Sequence, residues 1–161
     1  MAKRKKSNLN ALILLVIVLC GVAAFVMLFL NALKKEVYND YSYYTGLEVV
    51  FGKKTEFMGQ SLSLKFNILS FLAYFLPLIA VAIMVVLYNK KSNLKYLIAF
   101  LIFTVSAVLM FIMPTYVKVY YELLNQKGAT DYGFELAVGT IVGGICSGVG
   151  ALTSLFGFIK K

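Results

Sequence analysis

The sequence predicts an all-α integral membrane protein: a bundle of four transmembrane helices with a small extracytoplasmic β-hairpin and an extended third helix. Three observations support this fold class, namely the composition, four long charge-free segments and the distribution of basic residues around them. Hydrophobic residues make up 61% of the chain and charged residues 14%, against roughly 45–50% and about 25% in soluble globular proteins. Because much of a small domain stays at its surface, a soluble fold of this size is not expected to hide so much apolar area.

Four segments without a charged residue define the predicted spans. They contain 27, 24, 22 and 24 residues, and a membrane-spanning helix needs about 20 mostly apolar residues. The predicted spans are approximately 9–33, 67–88, 96–117 and 136–159, within a single membrane domain covering residues 1–161. The alternative, a set of buried core helices in a soluble protein, is disfavoured because such helices are usually shorter.

The first apolar segment is expected to be a retained span and not a cleaved signal peptide. Ala11 to Leu30 is a run of twenty residues without a charge. The apolar region of a signal peptide is about 7–15 residues long and ends at a small-residue cleavage site, which does not follow here.

The basic residues predict the orientation in the membrane. With four spans, one side carries nine basic residues and no acid: Lys3, Arg4, Lys5, Lys6, Lys90, Lys91, Lys95, Lys160 and Lys161. The other side carries the remaining seven basic residues and all seven acids. The positive-inside rule therefore places both termini and the inner link 89–95 in the cytoplasm, in a multi-pass protein of the plasma membrane. The basic groups would contact anionic lipid headgroups, so membrane lipids are expected partners and nucleic acid is not.

The predicted outer loops are residues 34–66 and 118–135, and the first is expected to contain the hairpin. Leu47–Phe51 is rich in β-branched and aromatic residues, and Ser61–Phe66 alternates polar and apolar positions. The turn would lie between Gly52 and Gly59. The alternative is a loosely ordered loop.

The second outer loop is expected to extend the third span. Val117, Tyr120, Tyr121 and Leu124 recur at steps of three and four, which is the helical period. About three further turns would end at Gly128, a residue suited to a helix C-cap. Prolines often kink helices, and Pro77 and Pro114 are the expected kinks of the second and third spans.

A candidate interaction surface follows from these loops. It comprises Leu47, Val49, Phe51, Lys53, Lys54, Tyr120 and Tyr121. Tyrosines are abundant on the outer side, which is typical of a belt that anchors a protein at the membrane interface. An aromatic surface that binds a sugar or a peptide is the alternative.

The fourth span carries a helix-packing seam of small residues. The seam comprises Gly139, Gly143, Gly144, Ser147, Gly148 and Ala151. Small residues let helix backbones approach closely in lipid. The partner is either another span of the same chain or a second copy in a homo-oligomer.

Residues for catalysis, metal binding or cofactor binding are not evident. The chain has no histidine, the most common residue for acid–base chemistry near neutral pH, and the predicted spans contain no acid. Cys20 and Cys146 both fall within spans. We therefore expect no enzyme activity, no metal and no cofactor. The leading hypothesis is a non-enzymatic envelope interaction or scaffold protein whose outer cap meets a membrane-protein partner. The alternative is an oligomeric channel or permease for a small neutral or lipidic solute.

Three segments resemble a family of small bacterial four-span membrane proteins without an assigned function. They are TGLEVVFG (Thr45–Gly52), LKFNILSFLAYFLPL (Leu64–Leu78) and GTIVGGICS (Gly139–Ser147). This resemblance implies a bacterial four-span fold and no particular activity. The order of spans and loops is also similar to that of claudin-type proteins, but their outer tryptophan and cysteine pair have no counterpart, since the chain has no Trp and no cysteine in a predicted outer loop.

Overall fold

The computed structural model describes residues 2–37, 40–57, 60–88, 92–123, 126–131 and 133–160. Residues 58–59 of the predicted turn, 89–91 of the predicted inner link and Leu124 of the predicted helical extension lie outside this range. In the described part of the chain, four helices are long and apolar enough to cross a membrane. They are α1 (Ala2–Val26), α3 (Ile68–Val86), α4 (Leu94–Phe111) and α6 (Val138–Ile159). Each overlaps one predicted span.

The remaining elements connect these helices at one end of the bundle. After α1 come a 3-10 turn (Met27–Phe29), β1 (Asn31–Val37), β2 (Asp40–Thr45), α2 (Gly46–Phe51), β3 (Lys53–Phe57) and β4 (Gln60–Leu64). Between α4 and α6 come α5 (Met113–Tyr116), β5 (Val119–Leu123), β6 (Gln126–Thr130) and β7 (Glu135–Leu136).

The seven strands within the described ranges form two antiparallel sheets. Sheet A has the strand order β2-β1-β7, and sheet B has the order β3-β4-β5-β6. We call the two sheets together with α2 the cap. The predicted all-α class is therefore correct for the bundle and wrong for the cap, where the structure has two sheets and not one hairpin.

The first predicted strand of the hairpin is wrong, because Gly46–Phe51 is the helix α2. The reason is a capping box, in which the Thr45 hydroxyl accepts a hydrogen bond from the Glu48 backbone N–H at 3.3 Å and the Glu48 carboxylate accepts one from the Thr45 N–H at 2.9 Å. These two bonds satisfy backbone donors at the start of the helix. The hairpin itself is formed by β3 and β4, after Gly52 ends α2 with a φ of 94°.

The predicted extension of the third helix is also wrong. Helix α4 ends at Phe111, and Pro114 lies in the first turn of the separate helix α5, where its missing N–H is not needed. The chain then forms β5 and β6. A two-stranded hairpin is marginal alone, and β5 supplies the next strand by pairing with β4. Gly128 is no helix cap: it lies in β6 opposite Tyr121, whose ring occupies the space that a Cβ atom would fill.

Helices α4 and α6 pack through matched heptads. Tyr96, Phe103 and Met110 on α4 are seven residues apart and face Gly157, Gly150 and Gly143 on α6, which are also seven apart and run in the opposite direction. A Cβ atom built on these glycines would lie 2.7, 2.8 and 3.0 Å from the facing side chain. Large residues therefore fill the positions that glycine leaves open, as knobs fill holes in a coiled coil.

Hydrogen bonds of buried hydroxyl groups connect α4 and α6 to each other and to α3 and β1. Ser106 donates to the Ala73 carbonyl of α3 at 2.7 Å and lies 3.2 Å from the Ser147 hydroxyl of α6. Thr140 donates to the Ala32 carbonyl of β1 at 2.7 Å and lies 3.2 Å from the Tyr74 hydroxyl. Hydrogen bonds of this kind fix helix positions in an apolar interior, where water does not compete.

One continuous apolar core joins the bundle to the cap. It includes Tyr74 and Met110 of the long helices together with Leu33, Val50 and Val119 of the cap, all of them buried. A second cluster fills the opposite half of the bundle. The cap is thus packed on the helix ends and does not hang from them by flexible connections.

The heptad contact predicts different outcomes for two neighbouring glycines. Gly150→Ala should lower the free energy of unfolding by about 1–3 kcal/mol, since the new methyl group overpacks the buried Phe103 ring. Gly148→Ala, where a Cβ atom meets nothing within 4 Å, should be neutral or stabilising by up to about 1 kcal/mol, because alanine favours helices. Thermal or denaturant unfolding in detergent micelles measures both. Equal effects at the two positions would contradict the packing.

Candidate functional site

The candidate site is an open groove on the face of sheet B that points away from the core. Leu64 and Val119 are cross-strand partners and are both buried on the inner face. Ser63 and Tyr120, the next pair, lie on the other face. The groove has a volume of about 470 Å³ and is lined by Lys54, Ser63, Lys65, Tyr120, Tyr121, Gly128 and Ala129. We call it the cap groove, and its volume falls within the range typical of ligand pockets, about 300–1,000 Å³.

The described lining of the cap groove contains two lysines and no carboxylate. Three other lysines of the cap are neutralised, since Lys34, Lys53 and Lys118 pair with Glu135, Glu48 and Asp131 at 3.1, 2.7 and 3.7 Å. Among the described side chains, no carboxylate forms an ion pair with Lys54 or Lys65. The Lys65 ammonium instead lies 4.0 Å from the centre of the Tyr120 ring, a cation–π contact. The described side chains of the groove therefore contribute two cations, Lys54 and Lys65.

Three residues of the predicted interaction surface meet in this groove: Lys54, Tyr120 and Tyr121. Two others lie elsewhere at the surface, with Lys53 paired to Glu48 and Leu47 partly exposed on α2. The prediction of Val49 at the surface is wrong, because its side chain is fully buried. In the predicted strand, Val49 would point to the opposite face from its two neighbours. In the helix α2, its side chain packs into the core instead.

Phe51, the last residue of the predicted surface, belongs to a row of phenylalanine rings. Neighbouring centroids along the row Phe51, Phe66, Phe71, Phe75, Phe25 and Phe29 are 4.1–6.4 Å apart. The row runs from α2 down the ends of α3 and α1, and Phe51 and Phe66 are each 56% exposed. Exposed aromatic rings at helix ends suit the membrane–water interface. Phe51 therefore fits contact with lipid better than contact in the cap groove.

The packing seam lies inside the molecule. Gly139, Gly143, Gly144, Ser147 and Ala151 are all buried, against β1, α1 and α4. Gly148 alone among the six seam residues is partly exposed and has open space beside it. The seam is thus occupied by the chain's own helices. The prediction missed Gly150 and Gly157, although their heptad spacing from Gly143 was a signal that would have found them.

The opposite end of the bundle contains a lysine that sequence reasoning placed in the inner link. Lys95 lies in the first turn of α4, is buried, and donates hydrogen bonds to the Leu87 and Tyr88 carbonyls at 3.0 and 2.8 Å. It therefore caps the end of α3, whose last carbonyls have no partner within the helix. Pro77 lies within α3, which continues on both sides of it.

No family model, no curated protein and no solved structure matches the chain. The fold and the groove define a protein with four helices of membrane-spanning length and a sheet-containing cap. The resemblance to the small bacterial four-span family stays a prediction, and the role of the groove is argued from its geometry.

Glu48 links α2 to β3 through its ion pair with Lys53. Burial raises the pKa of its carboxyl, but the hydrogen bonds from Lys53 and Thr45 outweigh this effect and hold the pKa below its ordinary value. A depressed carboxyl pKa adds stability above the pKa of the unfolded chain, about 4.3. That contribution is lost as the pH falls through the folded pKa.

Glu48→Gln should therefore reduce stability in a pH-dependent way. At pH 7 the variant loses the charged contact and is less stable by up to about 1 kcal/mol, whereas the difference from wild type should shrink progressively as the pH falls below about 4.3, the pKa of the unfolded chain. Thermal unfolding across this pH range measures the gap. Adding Lys53→Gln to this variant should lower the stability little further at pH 7, because the ion pair between the two residues is already lost. A gap that is the same at pH 7 and below pH 4 would contradict the assignment.

Proposed function

We propose that the chain is a non-enzymatic interaction protein of the plasma membrane, with the cap outside the cell and both termini in the cytoplasm. In this proposal the cap groove binds an acidic segment of an envelope or membrane protein. The observation that carries it is the pair of lysines, Lys54 and Lys65, that line an open groove without a carboxylate partner among the described side chains.

The contrast with the rest of the cap supports this proposal. Ammonium groups on a folded surface are readily neutralised by neighbouring acids, as at Lys34, Lys53 and Lys118. Lys54 and Lys65 line one groove with no carboxylate partner among the described side chains, so together they attract an anion. A carboxylate that enters the groove can accept charge-assisted hydrogen bonds from both lysines, and the Tyr120 ring, on the same face of the sheet, supplies apolar contact beside them.

The distribution of charge supports the orientation. In the sequence, nine basic residues and no acid flank the helix ends that lie opposite the cap, and the positive-inside rule assigns that side to the cytoplasm. The cap holds the ion pairs and mixed charges that suit an aqueous, extracytoplasmic setting.

The rival hypothesis is an oligomeric channel or permease assembled through the small-residue seam. It draws no support from the seam, because three of its four glycines, Gly139, Gly143 and Gly144, contact Met27, Met110 or Phe111 of the same chain. The bundle interior among the described residues is filled by large side chains such as Phe103 and Tyr74. These observations favour the interaction protein.

A photo-crosslinking amino acid in place of Ala129, which lines the groove and is exposed, tests the proposal in cells. One defined adduct is expected. The yield of this adduct should fall roughly tenfold or more in the double variant Lys54→Glu/Lys65→Glu, since each lost charged contact is worth on the order of 1 kcal/mol or more. Higher salt should weaken it as well.

Two matched variants separate a specific groove from general charge effects. Lys54→Arg/Lys65→Arg keeps both charges and should keep the adduct. Lys118→Glu reverses a cap lysine that pairs with Asp131 outside the groove and should leave the adduct unchanged. If the double charge reversal leaves the adduct intact, or if Lys118→Glu abolishes it equally, the proposed groove function is wrong.

A further inference from the structure

A second groove lies where sheet A meets the ends of α1 and α6, and it is distinct from the cap groove. It has a volume of about 420 Å³. The part beside the helix ends, which we call the lower part, is apolar and is lined by Leu30, Ala137, Val138 and Ile141. The part beside sheet A, the upper part, carries Lys34 and Tyr43. We call it the interfacial groove. Its apolar and polar parts are separated along the direction of the helices, as they are in an amphiphile.

The position of this groove matches the boundary of a membrane. Leu30 directly follows the candidate span that ends at Phe29, and Val138 is the first residue of the span in α6. Leu30, Val138 and Ile141 are 47%, 68% and 39% exposed. With the four helices in a bilayer, the lower part of the groove faces hydrocarbon and the sheet above it lies at the level of the headgroups.

The polar rim carries Lys34, and the Glu135 carboxylate paired with it lies next to the lining of the groove. Tyr43, Lys34 and Glu135 are cross-strand neighbours in one row of sheet A. The Lys34 ammonium lies 3.1 Å from the Glu135 carboxylate, which is 60% exposed, and 4.7 Å from the centre of the Tyr41 ring. The rim thus offers a cation and an accessible anion side by side, above an apolar slot.

We propose that the interfacial groove is a binding site for a zwitterionic phospholipid with a primary-ammonium headgroup. One acyl chain lies along Leu30, Val138 and Ile141, the phosphate accepts a hydrogen bond from Lys34, and the headgroup ammonium donates to Glu135. An anionic headgroup without an ammonium would meet the Glu135 carboxylate and be repelled. A diacylglycerol would leave both charges without a lipid partner. This proposal rests on the membrane placement of the helices and is independent of the cap groove.

Native mass spectrometry of the full chain in detergent tests the site. The probes are phosphatidylethanolamine, phosphatidylglycerol and diacylglycerol with identical acyl chains. Phosphatidylethanolamine should bind the wild type roughly tenfold more tightly than phosphatidylglycerol, because it adds a charge-assisted hydrogen bond to Glu135 and avoids the repulsion by that carboxylate. Equal affinity for the three lipids would mean unselective contact with the bundle surface and would overturn the proposal.

Variants locate the binding within the molecule. Glu135→Gln should remove the preference for phosphatidylethanolamine over phosphatidylglycerol, and this readout compares two lipids on one folded protein. Ile141→Trp should fill the slot and weaken phosphatidylethanolamine binding. Leu152→Trp, on an exposed position of the same helix about 16 Å further along at 1.5 Å per residue, should not. Unchanged selectivity in Glu135→Gln, or equal losses in the two Trp variants, would contradict the assigned site.

Discussion

The close approach of α6 to α4 is the contact on which the rest of the structure depends. Hydrocarbon provides no hydrophobic force between helices, so close packing and interhelical hydrogen bonds must hold them together. The facing heptads provide both, with Phe103 over Gly150 and the Ser106 hydroxyl beside that of Ser147. At the cap end of the same interface, Thr140 of α6 donates to the Ala32 carbonyl of β1. The helix packing therefore determines where sheet A begins.

The cap inherits its rigidity from this packing. Its inner faces share a core with the bundle. In addition, Asn67 connects α3, α5 and α2 by hydrogen bonds. Its side chain accepts from two backbone N–H groups of α3 and donates to the Tyr116 carbonyl of α5, and its backbone N–H donates to the Val50 carbonyl of α2. Sheet B consequently presents one fixed face away from the bundle. A preformed groove loses less entropy on binding than a loop that must be ordered. A structured cap on a tightly packed bundle suits recognition better than solute transport.

The bundle was predictable from the sequence because its determinants are local: run length, hydropathy and the positions of charges. The cap was only partly predictable because its determinants compete. Leu47–Phe51 contains strand-forming residues, but the capping box of Thr45 and Glu48 selects a helix. Val117–Leu124 fits the helical and the strand period, and the open edge of β4 decides between them. In the candidate site, Lys54 was recognised, but its neighbour Lys65 was not, since the pairing of β4 with β5 brings Lys65 to Tyr120.

The central claim is that the four helices span the membrane and hold the cap outside the cell. Single cysteines at Lys54 and at Lys160, introduced after both native cysteines are replaced by alanine, test this claim with a membrane-impermeant maleimide on intact cells. The account predicts that the Lys54→Cys variant reacts without permeabilisation and that the Lys160→Cys variant reacts only after it. Labelling of Lys160→Cys but not Lys54→Cys in intact cells would contradict the orientation. Labelling of both cysteines in intact cells, or of neither until permeabilisation, would place them on the same side of the membrane and contradict three spans between them.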